Sequence, residues 1–294
     1  MSINPPTGRP RRSCLYMPGA NPKALEKAKS LPADVVILDL EDSVAPEAKA
    51  QARETVCAAI AAGGYGAREV VVRVNALSTP WGFADIEAAA AAGPDAILVP
   101  KVDEATDIAK AHDAITAAHH HRIGLWAMIE TPLSILNLKE IAASARSTAL
   151  EVFVMGTNDL AKDMRCAQTP DRLPFLAALS LSVAAARAYG ITPIDGVHND
   201  IQNEQGFQDI CRQGLSLGFD GKTLIHPSQI DPCNAIFAPT AQEEAWAAGV
   251  VAAFADPENA GKGVLKVDGK MTELLHLEQA KRILAIAAAI RARA

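Results

Sequence analysis

The chain has 294 residues, is 49% hydrophobic and carries a formal net charge of −6. That is long and apolar enough for a full core, in one large domain or two small ones. The acidic balance excludes a general nucleic-acid binder, which needs a basic face to neutralise phosphates, but leaves room for a local basic pocket.

The N-terminal residues 1–13 are polar, with three prolines and three arginines, and lack the apolar core of a secretory signal. Eight short apolar runs follow, at 14–17, 35–40, 70–74, 96–99, 123–129, 152–155, 191–194 and 223–225. They are continuous rather than alternating in polarity, as expected of strands covered on both faces. Between them lie Ala-, Glu-, Lys- and Arg-rich segments that predict helices over 22–30, 45–62, 84–92, 105–118 and 173–189. Gly66, Gly93-Pro94 and Gly190 punctuate the joins. Strands alternating with helices imply parallel βαβ units. Eight of them predict an α/β fold, a (β/α)8 TIM barrel over residues 1–226. An open doubly wound sheet is disfavoured, because no strand is followed by Gly-x-Gly-x-x-Gly.

Residues 227–294 are read as a C-terminal helical extension. It has a Pro-rich start, a helix near 241–255, a Gly261-Lys262-Gly263 loop and a last helix from about Leu275. A lid or an oligomer contact is its expected role. The tract His119-His120-His121 reads as a solvated helix end rather than a metal site, since adjacent helical residues do not share a face. The five cysteines, Cys14, Cys57, Cys166, Cys211 and Cys233, are odd in number and contain no Cys-x-x-Cys. Free thiols in a reducing compartment are expected, rather than a disulfide framework or a zinc ribbon. No apolar run approaches the roughly 18 residues of a membrane span. These points predict a cytoplasmic protein with no membrane and no nucleic-acid partner.

Several of the apolar runs end in charge. Val35–Leu40 runs into Asp39, Glu41 and Asp42, and Val70–Val74 contains Arg73. Lys101 follows the fourth run, Glu130 the fifth and Asp159 the sixth. This predicts a site at the C-terminal mouth of a parallel barrel. Glu130 and Asp159, on neighbouring strands, can converge on a hard cation that accepts a partial protein shell, although acids at strand ends also cap helices. No His or Cys lies near them in sequence, so zinc is less expected. Arg73 suits either an ion pair with the strand-two acids or a clamp on a substrate carboxylate or oxyanion. Asp42 is placed to orient Arg73 or metal-bound water, and Lys101 adds a second cation. Arg12 and Lys23 flank the first strand and its following turn, where a helix N-terminus could meet a phosphate. For His198 and His226 a structural role and a place in the pocket wall both stay open.

Seven segments together resemble the citrate lyase beta subunit-like family, the CoA-ester lyase branch of the HpcH/HpaI aldolase/citrate lyase superfamily. They are Arg12-Ser13-x-Leu15-Tyr16-x-Pro18-Gly19, Leu38-Asp39-Leu40-Glu41-Asp42-Ser43-Val44, Val72-Arg73-Val74-Asn75, Val99-Pro100-Lys101, Ile129-Glu130-Thr131, Gly156-Thr157-Asn158-Asp159-Leu160 and Ile225-His226-Pro227-Ser228-Gln229. The resemblance implies Mg2+, or Mn2+ in its place, on Glu130 and Asp159. It implies substrate contacts from Arg73, Glu130, Glu41 and Lys101, and CoA contacts from Arg12, Tyr16, Lys23 and His226. Arg73, Asp42 and Asp268 become the catalytic set. Val267-Asp268-Gly269-Lys270-Met271 resembles the family's lid, which implies a homotrimer, or a dimer of trimers, in which Asp268 is the acid/base of a neighbour's site. Read alone, Asp268-Gly269 is only a turn. The family often continues with Asp and Pro after the Met; here Thr272-Glu273 follow.

The function implied is a carbon–carbon lyase acting on a 3-hydroxyacyl-CoA. It would interconvert malyl-CoA or citramalyl-CoA with acetyl-CoA and a 2-oxo acid, glyoxylate or pyruvate. Three alternatives accompany it. One is hydrolysis of malyl-CoA as a thioesterase or malate synthase-like enzyme. The others are an acyl-carrier-dependent citrate lyase beta subunit and a non-catalytic metabolite binder.

Overall fold

A computed structural model of the protein describes residues 9–118 and 122–293. The tract at 119–121 lies outside the described residues. The described chain forms two compact units, residues 11–235 and residues 9–10 with 236–293.

The first unit is a closed barrel of eight parallel strands, each hydrogen-bonded to the next in chain order. They are β1 (Ser13–Pro18), β2 (Val35–Asp39), β3 (Glu69–Arg73), β4 (Ala96–Val99), β5 (Gly124–Ile129), β6 (Leu150–Met155), β7 (Thr192–Asp195) and β8 (Gly221–Leu224). β8 closes on β1 with Ser13 opposite Lys222. The helices are α1 (Pro22–Ala28), α2 (Lys49–Ala62), α3 (Gly82–Ala92), α4 (Ala105–Ala118), α5 (Pro132–Leu136), α6 (Leu138–Ala143), α7 (Thr157–Met164), α8 (Leu176–Tyr189), α9 (Glu204–Leu217) and α10 (Ile230–Ile236). The (β/α)8 expectation is met.

Alternation along the strands explains both faces. Cys14, Val35, Ile37, Val71, Ala96, Leu98, Trp126, Met128, Val152, Val154 and Ile194 fill the barrel lumen, with Tyr16 packed against them. Leu15, Val36, Leu38, Val72 and Ile97, one residue out of phase, are just as buried. They face the helix layer, because successive side chains of a strand point to opposite sides. Both faces are therefore apolar, and the runs read as continuous.

The last strand starts two residues earlier than the apolar run at 223–225 suggests. Gly221-Lys222 looks polar, but Lys222 is fully buried and its ammonium sits 3.1 Å from Asp195 Oδ2. Arg172 Nη1 donates to both oxygens of the same carboxylate at 2.7 and 2.8 Å. Ile225, expected inside the strand, is 41% exposed. Five helices are absent from the sequence reading: α5, α6 and α10 have seven residues or fewer, and α7 and α9 are amphipathic but rich in polar residues.

The second unit contains α11 (Ala241–Ala255), the antiparallel hairpin β9 (Val264–Val267) and β10 (Lys270–Glu273), and α12 (Leu274–Arg291). Thr240 starts α11 with a capping box, accepting from the Glu243 N–H at 3.2 Å while Glu243 Oε2 accepts from the Thr240 N–H at 2.8 Å. Ala247, Val250 and Ala280 form its core, flanked by Trp246, Phe254, Leu277 and Leu284. Val267 pairs with Lys270, so Asp268 and Gly269 are a two-residue turn, with φ of 49° and 79°. All five cysteines are free thiols, and Cys14, Cys211 and Cys233 are buried. Among the described residues no helix is long and apolar enough to cross a membrane.

Candidate active site

The lumen phase of the strands delivers charge to the mouth. Positions 35 and 37 lead to Asp39, position 71 to Arg73, and positions 126 and 128 to Glu130. All three are buried polar groups at the C-terminal ends of their strands. Active sites of this architecture lie at that end. A pocket of about 370 Å³ opens there, lined by Tyr16, Met17, Asp39, Asp42, Arg73, Met128, Glu130, Met155, Gly156, Thr157, Asn158, Asp159, Asn199 and Thr223, among others.

Arg73 is the most constrained group. Asp39, its register partner on β2, accepts from Nε at 2.6 Å and from Nη2 at 2.8 Å. Asp39 is itself fixed by the Glu41 N–H at 2.9 Å and the Ser43 N–H at 3.1 Å. Tyr16 lies under the guanidinium, with the ring centroid 4.7 Å from Cζ. Only the Nη1 edge is left for the mouth, where Glu41 Oε2 lies at 2.9 Å and Asp42 Oδ2 at 3.1 Å. Burial opposes the Arg73 charge, but Asp39 outweighs it and holds the guanidinium protonated. The same pairing outweighs burial at Asp39 and holds that carboxyl below its ordinary value.

Burial has the opposite outcome at Glu41. Its pKa is pushed up to about 8, the Arg73 charge offsetting only part of the loss of water. Tyr16 is pushed up by burial and stays a neutral phenol.

Glu130 and Asp159 do converge. Lys101 Nζ lies 3.4 Å from Glu130 Oε1 and 2.5 Å from Asp159 Oδ2. The Lys101 backbone N–H also donates to Glu130 Oε1 at 2.8 Å. Burial pushes the Glu130 carboxyl up, only partly countered by the Lys101 charge. Burial pulls the Lys101 ammonium down, and Glu130 and Asp159 together more than reverse it. Gly156 makes space for this pair, since a Cβ there would collide with Glu130 Cβ and Oε2. Asp159 stands in the first turn of α7 and makes no side-chain cap; Gly156 is the capping residue. Among the described residues no group of three or more His, Cys, Asp or Glu could hold a metal. Any cation at Glu130 and Asp159 would therefore have two carboxylates and open positions, the type of shell Mg2+ accepts.

The remaining expected residues are scattered. Asp42 is at the rim, its side chain 70% exposed. Lys23 is exposed in the first turn of α1, whose Asn21 cap accepts from Ala24 N–H at 3.2 Å. His226 is exposed after β8, and its Nδ1 accepts from the Ser228 N–H at 3.2 Å, a capping role. Arg12 is not brought to the mouth. It precedes β1 and therefore lies at the opposite end of the barrel, where Asp34 accepts from its Nε at 2.8 Å and its Nη2 at 3.0 Å. Tyr16 faces the lumen below Arg73 rather than the rim. Asp268, in the second unit, is at the tip of the β9–β10 hairpin.

The sequence reading leaves four contributors unassigned. Asp39 carries the principal grip on Arg73; strand alternation, which puts it in phase with Glu41, was the signal for it. Asn158 and Asn199 line the pocket and join side chains, Asn199 Nδ2 donating to Asn158 Oδ1 at 2.8 Å. Gly156 has no sequence signal, because its contribution is the absence of a side chain.

The family model described as HpcH/HpaI aldolase/citrate lyase matches residues 12–227. A protein of Cereibacter sphaeroides (strain KD131 / KCTC 12085) named (3S)-malyl-CoA thioesterase is 48% identical over 283 residues, 96% of either chain. Citrate lyase subunit beta of Escherichia coli (strain K12) is 37% identical, covering 94% of this chain and 93% of its own. Among solved structures, CitE from Mycobacterium tuberculosis in complex with magnesium, acetoacetate and coenzyme A superposes with a TM-score of 0.77 at 28% identity, covering 96% of this chain and all of that one. These findings correct the expected carbon–carbon lyase. Relatives at 46–48% identity carry the name of a hydrolase, the first of the alternatives weighed above. The lyase subunit stands further off. The chain is an enzyme, and it belongs to the HpcH/HpaI aldolase/citrate lyase family.

Proposed function

We propose that the protein is a CoA-thioester hydrolase for malyl-CoA or a closely similar short hydroxyacyl thioester bearing a second carboxylate. The observation that carries this reading is the 48% identity, over 96% of both chains, to (3S)-malyl-CoA thioesterase. The mouth supports it. A pocket of about 370 Å³ suits a four-carbon acyl group, with the nucleotide of CoA left outside. Arg73, locked by Asp39, turns Nη1 to the mouth, where a substrate carboxylate would compete with Glu41 and the exposed Asp42 for it. Met128 and Met155 in the lining give the acyl chain apolar contacts.

Glu130 and Asp159 would hold Mg2+, or Mn2+ in its place. The Lys101 ammonium between them marks a point where positive charge is already accommodated, and Gly156 keeps that cradle open. Bound there, the cation supplies a Lewis acid for oxygen ligands. In hydrolysis, water oxygen bonds to the thioester carbon and the C–S bond breaks. One water proton goes to a base and the departing sulfur ends as CoA thiol. Asp268 is proposed as that base, supplied by a neighbouring subunit of a homotrimer in the cytoplasm. Its support is the resemblance of 267–271 to the family's lid and its place at a hairpin tip. Asp42 at the rim is proposed to steer Arg73. Lys23 and His226, at the same end of the barrel, are the proposed contacts for CoA.

Incubation with malyl-CoA and Mg2+ tests the reading. Free thiol, followed with a chromogenic disulfide, and malate should appear in equal amounts. Acetyl-CoA and glyoxylate with no free thiol would overturn it. Mixing inactive Arg73→Ala and inactive Asp268→Ala proteins should restore part of the activity, and no recovery in proven mixed oligomers would remove the shared-base assignment.

A further inference from the structure

Lys101 reaches Glu130 twice, and the two contacts differ in kind. Its backbone stands at φ 54°, a left-handed conformation that a residue with a side chain adopts only under constraint. This conformation turns its N–H onto Glu130 Oε1 at 2.8 Å. The loop is pinned just beyond: Thr131 Oγ1 donates to Asp103 Oδ1, and Asn137 Nδ2 donates to the Asp103 carbonyl at 2.9 Å. The backbone contact is thus part of a rigid frame.

The ammonium contact is different. Nζ pairs with Glu130 at 3.4 Å and with Asp159 at 2.5 Å by charge, at the end of a four-carbon stem with free rotors. The side chain is 33% exposed through its stem, while Nζ itself is buried, so the ammonium reaches solvent only when the stem rotates. Arg73, the other cation of the mouth, has no such freedom, since two of its nitrogens are held by Asp39. Two carboxylates facing one point repel each other unless a positive charge lies between them. An ammonium and a divalent cation cannot both occupy that point.

We propose that Lys101 is an exchangeable counter-cation. Its ammonium neutralises Glu130 and Asp159 until a divalent cation enters, then swings out toward solvent, while its backbone N–H keeps Glu130 aimed throughout. The residue positions the metal carboxylates and also competes with the metal, which holds metal affinity below what the two acids alone would give. The inference rests on the proposed assignment of Glu130 and Asp159 to Mg2+.

Two measurements on the full-length protein test it. Lys101→Met keeps the backbone N–H and removes the charge. By titration calorimetry it should bind Mg2+ at least about fivefold more tightly than the wild type, and its melting temperature in EDTA should fall while the rise on adding Mg2+ grows. In the wild type, acetylation of Lys101 by an amine-specific reagent should increase severalfold when Mg2+ replaces EDTA, with Lys23 as the internal reference. Equal or weaker Mg2+ binding by the variant, or Lys101 labelling that stays level or falls with Mg2+, would overturn the exchange. Should the variant not fold, the wild-type labelling decides alone. Absence of Mg2+ binding in both proteins would overturn the metal assignment itself and the exchange with it, a result distinct from equal affinities.

Discussion

The two ends of the barrel use the same parts. At the mouth a guanidinium from Arg73 grips one carboxylate, Asp39, through two nitrogens, meets Glu41 and Asp42, and lies over the Tyr16 ring. At the opposite end Arg11 grips Glu69 through two nitrogens, both at 2.7 Å, meets Glu151 at 2.7 Å, and lies 5.1 Å from the Trp126 ring centroid. The difference is closure. Arg11 and Glu69 side chains are 4% and 2% exposed and paired with each other. The mouth leaves Asp42 in water, Glu41 protonated to about pH 8 and a pocket above the arginine. Matched and sealed charge holds a fold together. Charge left partly unmatched beside a cavity can bind and react.

The largest effect that separates the ends is on turnover. Glu130→Gln should lower kcat/KM by about a thousandfold or more, roughly 4 kcal/mol of transition-state stabilisation, with little loss of melting temperature. Full activity of the wild type in EDTA would remove the metal from the mechanism. Arg11→Met should do the reverse. Stranding Glu69 without its partner costs about 3 kcal/mol of stability, read from denaturant unfolding, while activity per folded molecule stays near wild type.

Glu41 gives the next effect, through pH. The folded protein keeps the Glu41 proton up to about pH 8, whereas an unfolded glutamate releases it near its ordinary value of 4.5. In that window the folded state binds more protons, so metal-free stability should fall as pH rises from about 4.5 to 8, by up to about 5 kcal/mol. Glu41→Gln should flatten the slope, and an unchanged slope would show that Glu41 titrates normally. The smallest effect concerns Arg12. Arg12→Ala should leave KM for the CoA ester within about twofold of wild type, because its guanidinium serves Asp34 at the sealed end. A tenfold rise in KM would return it to the CoA site.

Much of this was legible in the sequence, and the reasons are local. Continuous apolar runs, separated by helical spacers, define a parallel barrel because both faces of each strand are covered. Charges at strand ends then mark the mouth. Glu130, Asp159 and Arg73 stand out this way, and the fold brings all three into one pocket. Arg12 was misplaced because closeness in sequence to a strand says nothing about which end is functional; its position before β1 did. The last strand was misread because Lys222 is polar in sequence but neutralised by Asp195 in the fold. The activity was misassigned because the acids and arginine of the mouth suit both C–C cleavage and thioester hydrolysis, and 48% identity to a hydrolase separated them.

The ring beneath Arg11 has a use beyond packing. The protein has three tryptophans, one in each of three settings. Trp126 is buried at the sealed end of the barrel. Trp81 lies beside the Lys49 ammonium, 5.7 Å from its ring centroid, and that ammonium donates to the Leu40 and Glu41 carbonyls of the mouth. Trp246 packs in the second unit. Single-tryptophan variants would therefore give three separate fluorescent reporters. Trp126 would follow unfolding of the barrel, Trp81 would follow ligand entry at the mouth, and Trp246 would show whether the second unit melts with the barrel or on its own.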